Sequence, residues 1–193
     1  MDDGSDAANF TGFKDDRHWR IGTQGDVSWI ADHTYIRLGI TSAIPAGFDG
    51  YATIVNKEGD EQPPSEAALV RQLEAHSADS TWWLGYLDTG AHDVVFPNAP
   101  MVRLYGDWRY VLVEAGPEQA ATWREGDAWR GRLPDLIFPA DRSWLVSMLW
   151  DDDWRCIGGP ASLIQAVLAD PALDAREVTV DQEDATPPGF EAR

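Results

Sequence analysis

The chain is 193 residues long, with 33 acidic against 15 basic residues and a formal net charge of −18. That length suits one domain burying about 70% of its unfolded surface, and that charge sets the chain against nucleic-acid phosphates and anionic membranes. A single cysteine, Cys156, excludes an internal disulfide, and no run of about 18 apolar residues offers a membrane span.

Residues 1–16 are acidic and small, with Phe10 and Phe13 as the only anchors, and read as a flexible tail; 17–181 read as the domain and 182–193 as a second tail. No basic segment leading into an apolar one opens the sequence, so a cytoplasmic protein is expected. Between Trp19 and Ile30 apolar residues are sparse, and Gly22 and Gly25 break the pattern. Residues 30–40 fit either a short helix or a strand. Residues 51–55 form the first clear strand, and 56–64, polar and carrying Pro63 and Pro64, a surface loop. Ser65 reads as the N-cap of a helix running to about His76. Residues 81–87 are a second strand, 94–96 a short third, and 101–105 with 108–114 a hairpin whose Gly106-Asp107 pair suits a II′ turn. A short helix is predicted over 117–124 and a loop over 125–134.

The most informative stretch is 138–170, which reads as strand, turn, strand, glycine corner and helix. Over 143–150 both alternating sets are largely apolar, as in a central strand covered on two faces. Asp151-Asp152-Asp153 marks a hairpin turn, and 154–157 returns antiparallel. Gly158-Gly159 frees the backbone, and Pro160 fits the first turn of a helix carrying Leu163, Ile164, Val167 and Leu168 on one stripe. Residues 177–180 are a last strand, at an edge. Strands joined by hairpins, with about three helices between them, define the α+β class around a mainly antiparallel sheet. If Trp144 and Trp150 both belong to its core, alanine at either is expected to cost about 3–5 kcal/mol.

No catalytic motif stands out. Three consecutive aspartates bring oxygen ligands together, yet Trp154 follows at once where a calcium loop would continue in alternation. His18, His33, His76 and His92 are scattered, so neither metal nor cofactor is expected. Cys156, on a predicted buried strand, reads as a small hydrophobe. Glu114 with Glu118, or Asp141, would make a glycosidase pair only if they met in one cleft. Of the ten tryptophans, those on strands (Trp82, Trp83, Trp108, Trp144, Trp150) read as core. Trp123, Trp129 and Trp154, each followed by an arginine (Arg124, Arg130, Arg155), read as cation–π packing or as half of a recognition surface.

Residues 80–90, 110–120 and 141–146, with Gly158-Gly159, resemble stretches of small acidic, tryptophan-rich actinobacterial proteins, a family that brings no catalytic residues to carry over. In size, acidity and α+β pattern the chain is also similar in type to immunity proteins that neutralise bacterial toxins. The charge and surface chemistry, with that likeness of type beside them, lead to the expectation of a binding protein for a basic partner, most simply a toxin domain, with Asp151, Asp152, Asp153 and Trp154 as the contact patch because a projecting turn there carries both acidic and aromatic groups. The alternative expectation is a carbohydrate-active or carbohydrate-binding domain using surface tryptophan and paired carboxylates.

Overall fold

A computed structural model of the chain describes residues 9–11, 17–35, 39–79, 81–90, 94–124, 131–150, 152–182 and 184–185. Its elements run β1 (Asn9–Thr11), β2 (His18–Ile21), α1 (Gln24–Ala31), β3 (Gly50–Val55), α2 (Gln62–Ala75), β4 (Trp82–Leu87), β5 (Val102–Leu104), β6 (Trp108–Ala115), α3 (Pro117–Thr122), β7 (Leu136–Pro139), β8 (Leu145–Ser147), β9 (Trp154–Gly159), α4 (Ala161–Ala169) and β10 (Ala175–Val178). The strands form one sheet in the order β1-β2-β6-β4-β7-β8-β9-β3-β10, with β5 also paired to β6. Every pairing is antiparallel, so the fold is α+β as the sequence predicts.

Two-residue alternation sends the central strands' side chains into two separate cores. Trp82, Leu84 and Tyr86 of β4, Val111 and Val113 of β6, Ile137, Val146 and Ile157 face the first, which α2 covers with Ala68, Leu69 and Leu73 and α4 with Leu163, Ile164 and Val167. Trp83, Tyr110, Leu112, Leu136, Phe138, Leu145 and Cys156 face the second, closed by Val27 and Ile30 of α1 and by Ile40 and Ile44. The two-faced covering expected around residue 146 is therefore real, and β8 lies in the interior of the sheet.

In the first core Trp82 and Trp144 meet edge to face, ring centroids 5.1 Å apart. Both indole N–H groups donate to Ser77 Oγ at 3.2 Å, and the Ser77 hydroxyl donates onward to the Leu73 carbonyl at 2.7 Å. One hydroxyl thus satisfies two buried donors. Ser77→Ala should cost about 2–4 kcal/mol, since it leaves both indoles unpaired in an apolar setting. Urea unfolding checks this, and a loss under about 1 kcal/mol would mean that the two bonds do not matter.

Several boundaries differ from expectation. A helix forms at Gln24–Ala31, ahead of the ambiguous 30–40 stretch; the Asp26 carboxylate accepts from the Thr23 N–H at 2.7 Å, half of a capping box that offsets Gly25. Helix α2 starts at Gln62 and takes Pro63 and Pro64 into its first turn, where absent N–H groups cost nothing. Pro160 is an N-cap with extended ψ, and Gly158 and Gly159 belong to β9. Residues 94–96 are buried but form no strand: Phe96 has φ +58° and packs edge to face on Trp123. The β5–β6 turn has positive φ at Tyr105, Gly106 and Asp107, with Asp107 N–H donating to the Leu104 carbonyl (3.2 Å); two central residues at positive φ mark a I′ rather than a II′ turn. Asn9–Thr11, inside the stretch read as a tail, pairs with β2. Strand β8 ends at Ser147, which leaves Trp150 outside the sheet and 37% exposed.

Candidate functional site

The antiparallel order brings the ends of β3, β4 and β8 to the same side as the starts of β6, β7 and β9. In β4 and β6, Leu87 opposes Tyr110; in β3 and β9, Val55 opposes Trp154. The connections after residues 55, 87, 104, 131 and 147 therefore gather at one end of the sheet, and the acidic turn is among them. Asp152 N–H donates to the Leu149 carbonyl (3.3 Å) and Asn56 N–H to the Asp153 carbonyl (3.1 Å), which ties the turn to the end of β3. Asp153 is exposed, while Asp152 and Trp154 are partly buried, with Trp154 packed against the second core. Asp151 of the predicted patch lies outside the described residues.

Beside this turn is a groove of about 520 Å³ lined by Leu87, Asp88, Thr89, Arg103, Asp107, Trp108, Arg109 and Trp150. Arg103 and Arg109 sit directly opposite each other in the β5–β6 ladder, an arrangement that repels like charges. Each is answered by a carboxylate: Arg103 by Asp107 at 2.7 Å, and Arg109 by Asp88 at 2.6 Å. Asp88 is fixed further by the Gly90 N–H, which donates to its Oδ1 at 3.2 Å. The sequence places Trp108 and Trp150 in the core; the structure leaves Trp108 half-buried and makes Trp150 the only exposed tryptophan among the described residues.

Behind the groove, in the first core, charged side chains hold the 131–135 segment. Arg124 pairs with Asp135 at 2.7 Å, both fully buried, and lies over the Tyr86 ring at 5.5 Å. Arg155 donates to the Pro134 carbonyl at 2.8 Å, and Glu66 of α2 accepts from the Arg132 N–H at 2.8 Å. Gly131 is required here because it has φ +80° and a Cβ would stand 2.1 Å from Glu66 Oε1. Arg124, Arg155 and Trp123 are thus interior residues and not a recognition surface, while Trp129 and Arg130 lie outside the described residues. Burial raises the pKa of the Tyr86 phenol, with Arg124 opposing the shift. It also raises that of the Cys156 thiol, with a smaller contribution from Asp152, so Cys156 is the small core hydrophobe the sequence indicates.

At the opposite end of the sheet, Glu114 and Glu118 do line one groove, of about 680 Å³, together with Trp19, Arg20, Glu74 and Thr81. Glu114 accepts from Arg20 at 2.9 Å. Asp141 is not part of it and instead caps its own turn through the Ser143 N–H at 2.9 Å. Among the described residues no group of three or more His, Cys, Asp or Glu is placed to hold a metal ion, and no helix is long and apolar enough to cross a membrane. The Arg103, Arg109 and Asp88 constellation was not singled out from the sequence; only the β4–β6 pairing makes neighbours of residues 88 and 109. Comparisons with protein-family models, with curated proteins and with solved structures find no match for this chain.

Proposed function

We propose that this is a cytoplasmic acidic protein that binds and blocks a basic partner in fixed stoichiometry, most simply an immunity protein for a toxin domain. The observation that carries the reading is the placement of Asp152 and Asp153 beside Trp154, at the end of the sheet where its connections gather, in a chain of net charge −18. Long-range charge of that sign accelerates encounter with a basic surface, and a partly buried indole at the contact slows release. Such a protein acts by occlusion and needs no nucleophile, metal or cofactor.

The test compares wild type, Asp152→Asn/Asp153→Asn and Trp154→Ala as baits in native cell extract, followed by kinetics on the purified partner. The expected result is a basic protein held one to one, with association slowed at least about tenfold from low to high salt. The double variant should slow association and Trp154→Ala should speed release. Recovery of no basic partner, or binding indifferent to salt and to both variants, would overturn the reading.

A further inference from the structure

The groove next to the acidic turn differs in character from the rest of the molecule. Among the described residues its titratable lining consists of two aspartates and two arginines, locked to one another, whose charges sum to zero within a strongly acidic chain. A cationic ligand would meet the two guanidinium groups, and an anionic one the field of the whole protein. An uncharged ligand escapes both penalties. The polar side-chain groups of the described lining are carboxylate oxygens, which only accept, guanidinium and indole N–H groups, which only donate, and the Thr89 hydroxyl, which does both. A ligand satisfying both from one atom must carry hydroxyls. Trp108 and Trp150 complete the lining, and an indole face, negative at its centre, attracts the weakly positive C–H face of a saturated ring. The volume, about 520 Å³, falls within the span typical of small-molecule sites.

We propose that this groove binds a neutral carbohydrate, with a sugar ring against Trp150 and Trp108 and its hydroxyls shared between the Asp88–Arg109 and Arg103–Asp107 pairs. The proposal is independent of the partner-binding reading, because Asp152, Asp153 and Trp154 do not line the groove. It concerns binding alone: Asp88 is already engaged by Arg109 and by the Gly90 N–H, so no carboxyl group is assigned a proton-transfer role.

The full-length protein is titrated, by saturation-transfer NMR and calorimetry, with neutral trisaccharides (maltotriose, cellotriose, xylotriose and chitotriose), with glucuronic acid and with arginine methyl ester. At least one neutral sugar should bind saturably. Trp150→Ala and Asp88→Asn should each weaken it by about tenfold or more, while Asp152→Asn/Asp153→Asn leaves it unchanged. Trp150 lies outside the sheet and is 37% exposed, so its loss should lower the melting temperature far less than loss of a core tryptophan and keep the binding result interpretable. Absence of binding to every neutral sugar, tighter binding of arginine methyl ester or glucuronate, or sugar binding unaffected by Trp150→Ala would overturn the proposal. A sugar-binding protein that fails the partner test leaves this inference standing, and the converse outcome removes it alone.

Discussion

Replacing Asp135 with alanine should destabilise the protein by about 3–5 kcal/mol, close to the limit that a domain of ordinary stability survives. Both carboxylate oxygens are committed: Oδ1 accepts from Arg124 at 3.3 Å, and Oδ2 accepts from Arg124 at 2.7 Å and from the Leu87 N–H at 2.9 Å. The substitution leaves a fully buried guanidinium beside the Tyr86 ring and a buried backbone donor without its acceptor. The backbone of residue 135 is not disturbed, since its N–H still donates to Gly85 and its carbonyl still accepts from Met148. Removing both charges together, as Arg124→Met/Asp135→Leu, should recover most of the loss, because the single variants suffer mainly from the charge they strand. Denaturant unfolding of Arg124→Met, Asp135→Leu and the double variant supplies the cycle; single losses under about 1 kcal/mol would refute the buried pair.

Trp144→Ala and Trp150→Ala, indistinguishable in the sequence, should separate sharply. Trp144 is fully buried, stacked edge to face on Trp82 and bonded to Ser77, so its removal should cost about 3–5 kcal/mol and lower the melting temperature by roughly 6–20 °C. Trp150, outside the sheet and 37% exposed at the groove, should cost clearly less, about 1–2 kcal/mol. Calorimetric melting of both variants decides the matter: equal losses would put residue 150 back in the core.

The parts of the fold legible in the sequence are those in which local chemistry and tertiary demand agree. The strand at 82–87, the return at 154–157 and the stripe of Leu163, Ile164 and Val167 each announce themselves by period and by turn residues. Sequence and structure part where two local signals conflict. Gly25 masks a helix whose start is written in Thr23 and Asp26, and Pro63-Pro64 fits a surface loop although the first helical turn accepts proline. At the end of the apolar run the pattern cannot say where β8 stops; Met148 still donates to Asp135, but Trp150 finds no neighbouring strand. The acidic turn was legible as a turn. The groove beside it was not, because its arginines come from β5 and β6 and its aspartates from the turns after β4 and β5, and the Asp88–Arg109 pairing is a property of strand order.

Cys156 makes the molecule a reporter on itself. It is the chain's only thiol, it sits on an interior strand of the sheet, and desolvation keeps it protonated. Only the thiolate attacks a disulfide reagent, so modification must await separation of β9 from its neighbours. With reagent in excess, the labelling rate tracks the frequency of that opening; with reclosure faster than attack, it gives the free energy of opening. A single-site colour reaction therefore times the unlocking of the sheet's interior, without an engineered probe.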